Sequence, residues 1–291
     1  MRNEEEMYAL ILNTAKEDPR IRAVYMNGSR TNPNADRDIF QDYDIVYVVH
    51  DTQPFIDDKS WIDCFGQRLY MQYPEDNVLF PDNDTSRCYG WLIQFADGNR
   101  LDLHVQTPDY TREEIVKDRL CKILLDKDGL LPPMPPATDA DFYVQRPGEP
   151  EFLACCNEFW WCLNNVAKGL WRGEVTYVQD MLGFVVRPEL VRLLSWKIGC
   201  SHDFSVSIGK SGKYMCRYLT DEQWQNFLKT YADAEVENLW NAVEIMCRLF
   251  DETARDVACE LNFSYNTEEA AASWEYLRHV RVLPADADAV Y

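Results

Sequence analysis

Two hydrophobic patterns divide the chain. Through the first half, apolar residues come in short β-branched or aromatic blocks that alternate with polar positions and stop at turn residues. Through the second half they recur at spacings of three and four. After a predicted helix from about Glu4 to Glu17, Ile21 to Met26 is a β-rich run that ends at Asn27-Gly28-Ser29. Asp42 to Val49 (DYDIVYVV) is a second strand of high β propensity, and Arg68 to Tyr73 a third. Tyr89 to Phe95 and Arg100 to Gln106 flank Ala96-Asp97-Gly98-Asn99, whose Asp-Gly pair tolerates the positive φ angles of a hairpin turn. These elements predict an α/β N-terminal domain with a mixed sheet.

Six of the fourteen prolines fall between Gly129 and Pro150, where neither a helix nor a central strand is expected to continue. Beyond them Phe152, Cys155, Phe159, Leu163, Val166 and Leu170 mark one buried helix face. Further helices are predicted from Tyr177 to about Ile198, Asp221 to Tyr231, Val236 to about Leu261 and Glu268 to Val280. The expected fold class is therefore α+β. Residues 1–132 form the α/β domain, 133–150 a proline-rich linker and 151–291 a helical-bundle domain.

Composition adds constraints. With 46% hydrophobic and 13% aromatic residues, the 291-residue chain has ample material for two cores. Its formal charge of −20 disfavours the phosphate backbone of a nucleic acid and favours a cationic partner. Acids occupy the first residues where a signal peptide needs positive charge, and no apolar run approaches a membrane span, so a cytoplasmic protein without a membrane partner is expected. The ten cysteines contain no C-x-x-C pair and are read as reduced, mostly buried thiols.

The segment that carries chemistry is MNGSRTNPNADRDIFQDYDIV, Met26 to Val46. Asp42 and Asp44 lie two apart on a strand, so both carboxylates face the same way and call for a cation between them. Magnesium suits such an all-oxygen pair, because it completes its shell with water and substrate phosphates. Gly28 lets the backbone approach a phosphate, the Ser29 hydroxyl and successive amides can hold its oxygens, and Arg30 adds positive charge. Asp102 in RLDLHV is a third strand carboxylate, with His104 on its face. A phosphate-binding turn, a metal-binding Asp pair and a third Asp are the parts of metal-assisted phosphoryl or nucleotidyl transfer.

Gly28-Ser29-Arg30 followed by Asp42-Tyr43-Asp44 resembles the nucleotidyltransferase superfamily that shares its catalytic fold with DNA polymerase β. Within it, YMNGSRTNPNA, FQDYDIVYVV, RLDLHV, NEFWWCLNNVAKGLWRGE with TYVQDML, and FSVSIGKSGKY resemble the aminoglycoside 6-adenylyltransferases, also called streptomycin adenylyltransferases. The resemblance spans nearly the whole chain. It implies a polymerase-β-like N-terminal domain, ATP as co-substrate, magnesium as cofactor, and transfer of AMP to a hydroxyl of streptomycin, the 6-position, with release of pyrophosphate and antibiotic resistance as the result.

In that light Glu158, Trp161, Asn165, Lys168 and Arg172 form a second helical stripe, distinct from the apolar one. Lys168 is expected to steady the triphosphate, and Glu158 with Trp161 to meet a cationic, hydroxyl-rich drug in a cleft between domains. Tyr177 and Asp180, at the start of the next helix, are further drug contacts. Asp180 competes with Asp102 for the role of general base. Lys210 and Lys213, in IGKSGKY, lack P-loop spacing but cluster beside glycines, as phosphate contacts do. Two rivals stand beside this reading: the same reaction on another aminoglycoside, a lincosamide or a protein, and a non-catalytic acidic protein that sequesters a cation. Oligomeric state is left open.

Overall fold

The computed structural model describes residues 1–79, 83–117 and 119–291, which fall into two compact units, Met1–Asp141 and Phe142–Tyr291. The first unit opens with helix α1 (Glu4–Glu17). Asn3 caps it, accepting from the Glu6 amide while the Glu6 carboxylate accepts from the Asn3 amide. Six strands follow among the described residues: β1 (Ile21–Asn27), β2 (Tyr43–Val49), β3 (Arg68–Gln72), β4 (Cys88–Phe95), β5 (Arg100–Gln106) and β6 (Cys121–Asp126), with short helices α2 (Gln53–Asp57) before β3 and α3 (Pro108–Glu114) after β5.

The sheet order is β3-β4-β5-β2-β1-β6. Among the described residues β2 and β5 alone pair in parallel and the other pairs are antiparallel, so the sheet is mixed as the pattern predicts. One face carries Met26, Ile45, Tyr47, Trp91 and Leu103 and packs under Met7 and Ile11 of α1. The other face buries Ala23, Tyr25, Val46 and Val48 with Ile115. Strand β6 is absent from the sequence-based elements. Among the described residues it pairs with β1 alone, and most of its residues are half-buried, so it lacks the alternation that betrays a strand with one buried face.

The second unit is helical. Helix α4 (Glu149–Arg172) starts inside the proline-rich segment, because Pro150 sits in its first turn, where an amide has no helical partner to lose. It stops at Gly173, whose φ of 71° is the left-handed cap geometry. All six residues of the predicted apolar stripe, Phe152 to Leu170, are buried, and the rings of Phe159 and Phe250 stack at 3.7 Å.

The helix predicted from Tyr177 to Ile198 is divided into α5 (Val175–Asp180), a π-helical turn (Met181–Val186) and α6 (Arg187–Ser201). In the widened turn the Arg187 amide donates to the Leu182 carbonyl, five residues back. Pro188 has no amide to donate and its ring crowds the carbonyl four residues back, so the wider turn relieves a conflict that periodicity does not reveal. Helices α7 (Asp221–Leu228), α8 (Val236–Leu261) and α9 (Thr267–Val282) complete the unit. No helix among the described residues is long and apolar enough to cross a membrane. Five of the ten cysteines, Cys121, Cys155, Cys156, Cys162 and Cys247, are buried.

Candidate active site

The parallel pairing of β2 with β5 sets Asp44 directly beside Asp102, each on the sheet face opposite α1. Asp42 lies just ahead of β2, and one carboxylate oxygen from each of the three aspartates falls within 4.8 Å of the others. Crowding has an electrostatic consequence. Burial, then the charges of Asp42 and Asp102, push the Asp44 carboxyl up to about 7, against the opposing pull of Arg100 and Arg30.

The Gly28 turn is built around this cluster. Gly28 has φ 76° and ψ −159°, a conformation essentially restricted to glycine, and opens a short 3-10 turn, Ser29–Thr31. Its amide donates to the Leu120 carbonyl at 3.1 Å, and its own carbonyl accepts from the Thr31 hydroxyl at 2.8 Å. A Cβ on Gly28 would lie 2.1 Å from Oδ2 of Asp44. Glycine is thus required twice, by the backbone angle and by the carboxylate.

Arg30 does not project into solvent. Its side chain is 8% exposed, and its Nε and one terminal nitrogen donate to the carbonyls of Asp42 and Gln41, each at 2.8 Å. Its guanidinium carbon lies 3.7 Å from the centre of the Tyr43 ring. In this structure Arg30 ties the glycine turn to the chain that delivers Asp42.

Two participants were missed in the sequence. Arg100 forks onto both oxygens of Asp102 at 2.8 and 2.6 Å and reaches within 3.8 Å of Asp42. The signal was present, since a residue two before Asp102 on a strand shares its face. Glu75 comes from the segment between β3 and β4, accepts from the Gly90 amide at 2.8 Å and lies 3.8 Å from His104. Burial lowers the His104 pKa, with Glu75 and Asp102 acting in the opposite direction. No periodicity connects Glu75 to this sheet face.

The remaining predicted residues lie on the helical unit. Glu158 is exposed and accepts from the Cys162 thiol at 3.3 Å. Trp161, 66% exposed, borders a cavity of about 440 Å³ with Trp160, Asn164 and Tyr276. Lys168 borders a different cavity, of about 230 Å³, with Trp171, Arg172 and Tyr276. Tyr177 packs against Gly169, where a Cβ would come within 3.1 Å of its ring. Asp180 is exposed at the last residue before the π turn, and Lys210 and Lys213 are exposed on their loop, the Lys213 ammonium 5.0 Å from the Tyr214 ring centre.

A mixed sheet that gathers three carboxylates beside a glycine turn is the arrangement of a nucleotidyltransferase. Comparison with known proteins narrows the class. The family model described as streptomycin adenylyltransferase matches residues 1–280, and the chain belongs to that family. It is 40% identical over 265 residues to an aminoglycoside 6-adenylyltransferase of Campylobacter jejuni, covering 91% of each chain. It is 38% identical over 269 residues to a protein of the same name from Bacillus subtilis, covering 91% of this chain and 93% of that one. A crystal structure of an aminoglycoside 6-adenyltransferase from Bacillus subtilis aligns over 97% of this chain and 100% of its own, with 32% identity and a TM-score of 0.48.

Proposed function

We propose that the protein is an ATP- and magnesium-dependent O-adenylyltransferase that moves AMP to the 6-hydroxyl of streptomycin and releases pyrophosphate. The observation that carries this reading is the clustering of Asp42, Asp44 and Asp102 within 4.8 Å beside a glycine turn, in a chain of the streptomycin adenylyltransferase family. The three carboxylates fit magnesium, since they form an all-oxygen set in which burial, and then the charges of Asp42 and Asp102, push Asp44 up to about 7. Asp42, Asp44 and Asp102 would hold the ion, which when bound polarises the phosphorus centre and stabilises the departing pyrophosphate.

The chain's own groups supply the rest. Gly28 presents backbone without a side chain and Ser29 a hydroxyl, so together they can cradle triphosphate oxygens, while Arg30 keeps this turn in register with Asp42. Lys168, Lys210 and Lys213 add the positive charge that an anionic nucleotide needs in an acidic protein. Glu158, Trp161, Tyr177 and Asp180 offer carboxylate and aromatic surface to a guanidinium-bearing, hydroxyl-rich acceptor. The proton of the attacking hydroxyl passes to a carboxylate, for which Asp102 and Asp180 are the candidates; Asn variants of each, compared by pH-rate profile, separate them.

The direct test is incubation with ATP, magnesium and streptomycin, followed by mass spectrometry. Adenylylated streptomycin and pyrophosphate are expected in equal amounts. Pyrophosphate release only with another acceptor would keep the chemistry and overturn the substrate, and none with any acceptor would overturn both.

A further inference from the structure

Asp102 is gripped by its own strand. Arg100, two residues earlier on β5, donates Nε to Oδ1 at 2.8 Å and a terminal nitrogen to Oδ2 at 2.6 Å, so one guanidinium occupies both carboxylate oxygens. The same Nε lies 3.8 Å from Oδ2 of Asp42. The partners differ in freedom: the Asp102 side chain is 13% exposed and that of Arg100 47%, which makes the carboxylate the fixed end and the cation the movable one. Arg30 is held elsewhere, its Nε and one terminal nitrogen by the Asp42 and Gln41 carbonyls and its other terminal nitrogen 3.7 Å from the Glu4 carboxylate. Arg100 also borders a cavity of about 250 Å³ with Tyr70, Gln72, Leu92 and Gln94, which leaves it space away from the acids.

A divalent cation on Asp42, Asp44 and Asp102 would meet the Arg100 guanidinium at the same oxygens, two like charges within a few ångströms of each other. We propose that Arg100 is a displaceable internal counter-ion of the acid cluster. It neutralises and orients Asp102 until a metal–nucleotide complex arrives, and the triphosphate then offers the guanidinium a second anionic partner. Metal alone binds weakly as a result, and metal with nucleotide binds well. This rests on the assignment of the three aspartates to metal.

The test measures metal rather than turnover. The full chain is titrated with Mn²⁺ in the absence of nucleotide, free ion being read by electron paramagnetic resonance, for the wild type, Arg100→Met, Arg100→Gln and Arg100→Met combined with Asp44→Asn. Removing the competing charge should tighten Mn²⁺ binding at least about tenfold in both single variants. The added Asp44→Asn change should abolish that gain, and a non-hydrolysable ATP analogue should narrow the difference between wild type and single variants. Unchanged or weaker Mn²⁺ binding in folded Arg100→Met and Arg100→Gln would overturn the counter-ion role and leave the proposed function standing. A gain that survives Asp44→Asn would overturn the counter-ion role together with the assignment of Asp44 to metal, because the metal would then lie elsewhere.

Discussion

A methyl group on Gly28 would sit 2.1 Å from Oδ2 of Asp44, so the turn after the first strand and the carboxylate on the second occupy complementary space. Gly28→Ala therefore forces Asp44 to move and places a Cβ in a backbone conformation of φ 76°. We expect a loss of about 1 to 3 kcal/mol in stability and a fall of roughly a hundredfold or more in kcat. Urea unfolding monitored by circular dichroism and a pyrophosphate-release assay measure the two. Full activity in the variant would show that Asp44 is free to shift.

The Asp44 carboxyl, pushed up to about 7 by burial and by its acidic neighbours, links stability to pH with a definite sign. A carboxyl raised on folding contributes stability that is present below its unfolded pKa and is lost as pH rises to the folded value. Without divalent metal, Tm should fall between about pH 4 and pH 7 through this group. Asp44→Asn should remove that part of the slope and leave the variant more stable than wild type at pH 8. Magnesium should flatten the wild-type profile, because binding requires the ionised form. A thermal-shift series across pH, with chelator or with magnesium, decides it.

Arg30 is expected to act as a brace. Its two donors to backbone carbonyls and its contact with Tyr43 are almost fully buried, so Arg30→Met should cost about 2 to 4 kcal/mol in stability. If bracing is its whole contribution, kcat falls while KM for ATP changes by less than about threefold. A tenfold rise in KM for ATP at unchanged Tm would make it a phosphate ligand instead.

The charge of −20 predicts how the acceptor arrives. Association of a polycationic aminoglycoside should slow as ionic strength rises from about 10 to 150 mM, where the screening length contracts from about 30 to 8 Å. Stopped-flow binding measures this, and a salt-independent rate would return the acidity to a role in solubility.

Much of the architecture is legible in the chain. Strand-period blocks up to Gln106, and three-and-four spacing beyond Pro150, are direct consequences of which side chains must leave water, so the α+β class and the buried stripe on α4 follow from them. Where periodicity is silent the reading stops. Edge strand β6 buries too little to alternate, and the π turn before α6 answers a local conflict at Pro188 rather than a pattern.

The candidate site divides in the same way. That Asp42 and Asp44 face the same way follows from the two-residue repeat of a strand, and Gly28 stands out as a residue that lets the backbone approach a phosphate; both are local readings, available from the sequence by itself, whereas the positive φ of Gly28 is seen only in the fold. That Asp44 lies beside Asp102 depends on β5 joining β2 in parallel across a crossover in the chain. That Arg30 faces inward and Arg100 grips Asp102 depends on which carbonyls and carboxylates the folded sheet brings within about 3 Å. Sequence spacing determines which way a side chain points along its own element. Only the tertiary structure decides which charge it meets there, because electrostatic partners are chosen by distance through space.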